Sequence, residues 1–158
     1  MRLYFLRHGL AGDSTTWAGA DESRPLTPEG ITRMQGSART IAALELELDE
    51  IISSPYIRAR QTADIVAKEL GLPVTAAASL VPGFNFTMLE RLLNSRLTAS
   101  ALLLVGHEDD FSQMIGRLIG SGRVMMKKGS LARVDLLQLQ PPAGILSWLL
   151  PPKLLARE

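Results

Sequence analysis

The 158-residue sequence predicts an α/β fold: a three-layer α/β/α sandwich around a mostly parallel central sheet, with antiparallel strands added late in the chain. Three observations carry this expectation. Short apolar runs such as RLYFL (2–6) and ALLLVG (101–106) are long enough for buried strands and too short for helices. Between them lie stretches whose apolar residues recur at helical spacing, the alternation that marks parallel strands joined by helices. The end of the chain breaks the rhythm: SLARVDLLQL (130–139) and GILSWLL (144–150) follow one another with no helix between them, which suits antiparallel pairing.

Residues 2 to 6 read as the first strand, ended by charge and glycine at Arg7, His8 and Gly9. A long polar loop follows. At RPLTPEG the chain changes character. Thr27 suits an N-cap and Pro28 the first helical position, and Ile31, Met34, Ala38, Ile41 and Ala42 give helical spacing from Glu29 to about Leu44. DEIISSP (49–55) supplies a second short strand, stopped by Ser-Ser-Pro. In YIRARQTADIVAKELG (56–71), Ile57, Thr62, Ile65, Val66 and Leu70 share a face, and Gly71 marks the helix end. LPVTAAASL (72–80) offers an edge strand, and a weaker helix is expected from about Thr87 to Leu97. ALLLVGH is the clearest buried strand, and FSQMIGRLIGSG (111–122) is the helix after it. No internal repeat of solenoid length is present, and one domain spanning 1–158 is expected.

Hydrophobic residues make up 46% and charged residues 21%, a balance that favours a packed core over a disordered arm. A formal net charge of +1 gives no general attraction to nucleic acid or to an anionic membrane, so neither is expected as a partner. The absence of cysteine removes disulfides and thiolate metal sites. The first apolar run stops at Arg7, too short for a signal-peptide core or a membrane span, so a cytoplasmic protein is expected.

In sheets of this kind, ligands bind beyond the carboxyl ends of the strands. Three polar clusters fall there: Arg7 and His8 after the first strand, Arg58 after DEIISSP, and His107 after ALLLVG. Each carries little weight alone, since an isolated histidine after a strand is as often structural. Their joint placement favours transfer of a phosphoryl group to imidazole. A neutral imidazole has a nucleophilic ring nitrogen, and arginine forks give phosphoryl oxygens fixed cationic donors. Zinc is the competing reading, because histidine is the commonest metal ligand. Glu108, Asp109 and Asp110 would have to complete such a site, yet no HExxH or comparable spacing is present, and no metal or other cofactor is expected. Neither a GxxxxGK(S/T) loop nor a GxGxxG turn occurs, which argues against a P-loop kinase or a dinucleotide enzyme.

LRHG (6–9), RPLTPEG (24–30), SSPYIRARQTA (53–63) and VGHE (105–108), in this order and spacing, resemble the histidine phosphatase superfamily, which includes the phosphoglycerate mutases. The short length, the arginine in SRPLTPEG and the late KKGSLARVDL stretch are more similar to its small bacterial branch, the SixA-type phosphohistidine phosphatases. The resemblance covers residues 2 to about 152. It implies a phosphoglycerate mutase-like fold and a nucleophile, His8, that is transiently phosphorylated. It further implies that Arg7 and Arg58 clamp phosphoryl oxygens, and that His107, protonated during the reaction, binds a further oxygen. Water then attacks phospho-His8 and releases inorganic phosphate. Arg24 is a second-tier binding candidate, reaching either the phosphate or a loop carboxylate.

Many members that act on phosphate esters carry an acid between the second arginine and the second histidine, where it protonates the leaving oxygen. Here Asp64 and Glu69 fall in the helix after Arg58, and Glu90 lacks the surrounding motif, so no general acid is assigned; Asp13, near His8, is a substitute candidate. An imidazole leaves phosphorus more readily than an alkoxide once its ring nitrogen is protonated, so weak acid assistance favours P–N over P–O substrates. The interval from Arg58 to His107 also lacks the long helical insertion that roofs the site in the mutases. Asp109 stands where relatives often have proline; a helix cap is the preferred reading, against a carboxylate turned toward the phosphate. Ser53, Ser54 and Gln61 are read as shaping the turn and its helix. Lys127 and Lys128 are read as a solvated turn rather than a contact for an acidic partner, and Trp17 as lining the crevice rim or packing beneath it.

The leading expectation is a metal-independent phosphatase that hydrolyses phosphohistidine on a protein, such as a histidine-phosphotransfer domain or carrier, through phospho-His8. Two alternatives stand beside it: a small-molecule phosphomonoesterase, and a non-catalytic phosphate- or phosphoprotein-binding module. Mutase activity, which needs a closed pocket, is a weaker expectation. A monomer is the default.

Overall fold

The structure, a computed structural model, describes residues 1–156; the last two residues of the expected 1–158 domain lie outside the described residues. Alternation in the first strand sets the layers. In β1 (Arg2–Arg7), Leu3 and Phe5 enter one apolar cluster while Tyr4 and Leu6 enter another, so both faces of the sheet are covered. Helices α1 (Pro28–Ala43) and α2 (Ile57–Leu70) close one face, where Met34, Ile41, Ala59, Ala63 and Val66 pack with Tyr4, Leu6, Leu103 and Val105. Helices α3 (Phe86–Asn94) and α4 (Asp110–Leu118) close the other, placing Leu89, Leu93, Phe111 and Ile115 with Leu3, Phe5, Leu102 and Leu104. This is the three-layer α/β/α sandwich that the sequence predicts.

The sheet also contains β2 (Glu50–Ser53), β3 (Val74–Ala76), β4 (Ala101–Gly106), β5 (Leu131–Leu139) and β6 (Pro142–Leu150), in the spatial order β3-β2-β4-β1-β5-β6. Strands β1 to β4 are parallel, and β5 and β6 join β1 as an antiparallel extension. Register places Arg7 opposite Gly106, so the chain leaves β1 and β4 at the same edge. There the His8 N–H donates to the Gly106 carbonyl at 3.0 Å. Parallel pairing of these two central strands thereby fixes His8 and His107 side by side. A final short helix, α5 (Pro152–Leu155), lies against α1.

The sequence signals at helix ends act as their chemistry requires. Thr27 Oγ1 accepts from the Gly30 N–H at 2.9 Å, Pro28 stands in the first turn, and Gly71 ends α2 in the left-handed region at φ 67°. Two helices are shorter than expected: α3 runs Phe86–Asn94 rather than from about Thr87 to Leu97, and α4 stops at Leu118 rather than near Gly122. Beyond Leu118 the chain folds back, and the N–H groups of Ser121 and Gly122 both donate to the Gly116 carbonyl, at 3.0 and 3.2 Å. Gly116 permits that approach, because a Cβ there would run into the Gly122 carbonyl oxygen.

Candidate active site

Three strand ends converge. The end of β1 carries Arg7 and His8, the turn after β2 carries Ser54 and leads to Arg58 in the first turn of α2, and the end of β4 carries His107. Together with Arg24 from the loop between β1 and α1, four of these side chains, Arg7, His8, Arg58 and His107, line a cavity of about 490 Å³, along with Gly12, Asp13, Glu108 and Lys128. The two imidazole centroids are 5.3 Å apart.

His8 is oriented by its own backbone. Its Nδ1–H donates to the Gly9 carbonyl at 2.8 Å, which leaves Nε2 with a lone pair facing the Arg58 Nε–H at 3.4 Å. Burial lowers the His8 pKa to about 3; the Gly9 carbonyl opposes the shift, and the charges of His107, Arg58 and Arg7 reinforce it. The result is a neutral, fixed imidazole with one available nitrogen, the form that a nucleophile needs. The Gly9 N–H in turn donates to Thr62 Oγ1 at 3.1 Å, and Thr62 donates to the Arg58 carbonyl at 2.7 Å, tying this turn to α2.

His107 has Nε2 against Ser54 Oγ at 2.8 Å, while its Nδ1 is buried without a partner. Burial first, and then the Arg58 charge, lower its pKa to about 4, with Asp21 opposing. His107 is therefore neutral near pH 7, and a phosphoryl dianion beside it would raise its pKa. The Tyr56 ring stands edge-on to His107 at 5.2 Å and beneath the Arg58 guanidinium at 5.0 Å.

Arg7 is anchored at one end only. Its Nη1 donates to the Met126 carbonyl at 2.6 Å, whereas Nε is buried and unpaired. The Met126 N–H donates to Ser112 Oγ at 3.1 Å, and Ser112 donates to Glu108 Oε1, leaving Glu108 Oε2 buried and free. Among the described residues, three of the buried side-chain atoms without a partner (Arg7 Nε, His107 Nδ1 and Glu108 Oε2) belong to residues lining this one cavity. Buried polar atoms are ordinarily satisfied, so this concentration sets the cavity's surroundings apart from the rest of the described interior.

The five residues expected at the site are thus brought together, and the secondary expectations divide. Arg24 pairs with a loop carboxylate, donating to Asp21 through Nη2 at 2.7 Å and Nε at 2.9 Å, and it also lines the cavity. Asp13 lines the cavity, but hydrogen bonds from the Thr15 hydroxyl and N–H hold its carboxyl below the usual range, which makes it a poor proton donor. Glu90 does not line the cavity, and Asp64 is paired with Arg60 at 2.9 Å. Asp109 occupies the N-cap position of α4 without a capping bond, because φ −87° and ψ 1° are not the extended conformation a capping side chain needs. It lines instead a neighbouring cavity of about 760 Å³ that shares Arg7 and Glu108 with the first.

Ser54 contacts His107 directly and so does more than shape a turn, whereas Gln61 stays structural, accepting from the Leu26 N–H at 2.8 Å. Ser53 also stays local, donating to the Ser54 carbonyl at 2.8 Å. Lys127 is exposed, and Lys128, also exposed, reaches the cavity wall. Trp17 does not line the cavity; its indole N–H donates to the Ala20 carbonyl at 3.1 Å within its own loop. Sequence reasoning missed Asp21, Thr62, Tyr56 and the inward placement of Glu108. For Asp21 the only signal was its position three residues before Arg24, and nothing in the sequence connects it to Arg58.

Among the described residues no group of three or more His, Cys, Asp or Glu is placed to hold a metal ion. No described helix is long and apolar enough to cross a membrane.

An α/β sandwich with paired histidines at the ends of its two central parallel strands, ringed by arginines, has the architecture of a phosphatase that works on anionic phosphoryl groups. The family profile of the histidine phosphatase superfamily (branch 1) matches residues 3–81. The chain is 32% identical over 117 residues to the phosphohistidine phosphatase SixA of Escherichia coli K12, covering 68% of this chain and 71% of that protein. It is 40% identical over 118 residues to an uncharacterized protein of Picosynechococcus, covering 72% and 70%. A solved structure of the protein histidine phosphatase SixA complexed with tungstate superposes with a TM-score of 0.87 at 24% identity, covering 98% of this chain and 99% of that one. The α-ribazole phosphatase of Shigella flexneri does so at 0.75 and 20%, covering 96% and 97%, a likeness of fold alone. This chain belongs to the histidine phosphatase superfamily, in its SixA-type branch, and its fold is phosphoglycerate mutase-like.

Proposed function

We propose that this phosphatase, acting as a single domain over 1–158, hydrolyses phosphohistidine on a protein through a covalent phospho-His8 intermediate and without a metal ion. The observation that carries the reading is the state of His8: neutral, held by Gly9 at Nδ1, with Nε2 presented to a cavity walled by Arg7, Arg24, Arg58 and His107. The Nε2 lone pair forms a new N–P bond as the P–N bond of the substrate breaks, and the departing imidazole takes a proton from solvent. Water then attacks phosphorus, the P–N bond to His8 breaks, and the water's proton returns to solvent with release of inorganic phosphate. Arg7, Arg58 and Arg24 bind the phosphoryl oxygens, and His107 binds a further one through its free Nδ1. Preorganised donors of this kind are each worth on the order of 10²- to 10³-fold in rate. The partner is a cytoplasmic protein bearing phosphohistidine, such as a histidine-phosphotransfer domain or carrier, met by a monomer.

Glu108 favours a second reading. Glu108 lines the cavity with one carboxyl oxygen unpaired, and a carboxyl group there is the kind of acid that a small-molecule phosphomonoesterase needs for its leaving alkoxide. The experiment is phosphate release from a ³²P-phosphohistidine protein and from a phosphate monoester, with and without EDTA, for wild type and His8→Ala. Release from the phosphohistidine protein that disappears in the variant is the expected result. Turnover of the ester alone selects the second reading, loss of turnover with EDTA removes metal independence, and no turnover on either substrate leaves a phosphate-binding module.

A further inference from the structure

One carboxylate holds two of the site's arginines. Asp21, in a 3-10 turn (Asp21–Ser23) of the loop between β1 and α1, accepts at Oδ1 from Arg24 Nε and Nη2, at 2.9 and 2.7 Å. Its Oδ2 accepts from Arg58 Nη2 at 2.9 Å, and its backbone carbonyl accepts from Arg58 Nη1 at 2.7 Å. Arg24 Nη1 completes the arrangement by donating to the Gly12 carbonyl at 2.6 Å. The two arginine side chains are only 10% and 4% exposed, whereas the Asp21 side chain is 51% exposed. Arg24 and Arg58 line the catalytic cavity and Asp21 does not. The carboxylate therefore grips both forks from outside the cavity.

We propose that Asp21 is the positioning residue of the phosphate clamp, fixing Arg24 and Arg58 before the ligand arrives; this rests on the reading that Arg58 binds phosphate. Arg58 gives one N–H of each Nη to Asp21 and rests on Tyr56, so its Nε can only face His8 Nε2. A free guanidinium on a long side chain would have to be ordered by the phosphoryl group itself, at the expense of affinity. Here the ordering precedes binding, which is the condition under which fixed donors act most strongly on developing charge. The same contacts admit an opposite role, in which the carboxylate competes with phosphate for the Nη groups. The two roles predict opposite signs.

The test is the affinity of the intact protein for inorganic phosphate, by titration calorimetry, in wild type, Asp21→Asn, Arg58→Ala and the double variant. Positioning predicts that Asp21→Asn weakens phosphate binding roughly tenfold, a coupling usual for residues sharing one charge network. It also predicts that most of this effect vanishes in the Arg58→Ala background. A loop that is merely less stable would weaken binding equally in both backgrounds and overturn the proposal. Tighter binding by Asp21→Asn would overturn it in favour of competition, and unchanged binding would overturn it outright. If Arg58→Ala alone leaves phosphate affinity intact, the clamp reading beneath the proposal fails and takes this role of Asp21 with it. Asp21→Glu, which keeps the charge, is expected to recover part of the lost affinity.

Discussion

An imidazole held at a pKa of about 3, as His8 is, carries a lone pair rather than a proton at neutral pH, and burial likewise holds His107 at about 4. The cost falls on the acid side. In the unfolded chain both rings titrate near about 6.5, so below that pH the unfolded state binds more protons than the folded one and stability declines. The contribution is complete above the unfolded value and is lost as pH falls toward about 4 for His107 and about 3 for His8. Urea unfolding across this window should show the decline, and His8→Gln should flatten its acid end; a variant with the wild-type slope would assign that titration to another group. Arg58 supplies a second test. Its fork reaches Asp21 and His8 at once, which the single ammonium of lysine cannot do. Arg58→Lys should lower kcat/KM by roughly 10²-fold, the scale of one lost preorganised donor, with circular dichroism unchanged. Near-wild-type turnover would show that charge without the fork suffices.

Helix α2 reaches the site through its backbone as well as through Arg58. Thr62 accepts from the Gly9 N–H and donates to the Arg58 carbonyl, so one hydroxyl joins the turn carrying His8 to the helix carrying Arg58. Thr62→Val keeps the shape and strands a buried N–H, which costs about 1–3 kcal/mol. Urea denaturation should show that loss, and Thr62→Ser should recover most of it; equal losses in both would point to packing by the methyl group instead. Thr62 also marks a boundary of what the sequence makes legible. Its helical spacing with Ile57, Val66 and Leu70 places it on the apolar face, and it is indeed buried, but its partner Gly9 lies far away in sequence, in the turn after β1. The strands, the capped start of α1 and the ends of β1 and β4 are readable because alternation, capping and breaker residues act over a few positions. The fold-back after Leu118 and the grip of Asp21 on Arg58 depend on partners set by tertiary packing, which local patterns do not encode.

At the scale of the molecule, the site couples to global stability by mass action. If phosphate occupies the arginine-lined cavity, a concentration about a hundred times its Kd should add about 2.7 kcal/mol to the unfolding free energy. Thermal melts should rise accordingly in wild type and much less in Arg58→Ala; an equal rise in both would mean that phosphate acts away from this cavity. The sheet order has a separate consequence for how the chain is made. Strand β4 pairs with β1 on one side and β2 on the other, so β1 and β2 never touch. A chain synthesised only as far as α3 lacks the strand that stands between β1 and β2 in the folded sheet. That strand brings Ala101 beside Arg2, closing a loop of about a hundred residues, a slow kind of contact. Until then the open edges are available to chaperones or to other chains. Arrival of β4 ends that exposure and carries His107 to His8 in the same movement, so the appearance of phosphate binding during synthesis would time the moment the sheet closes.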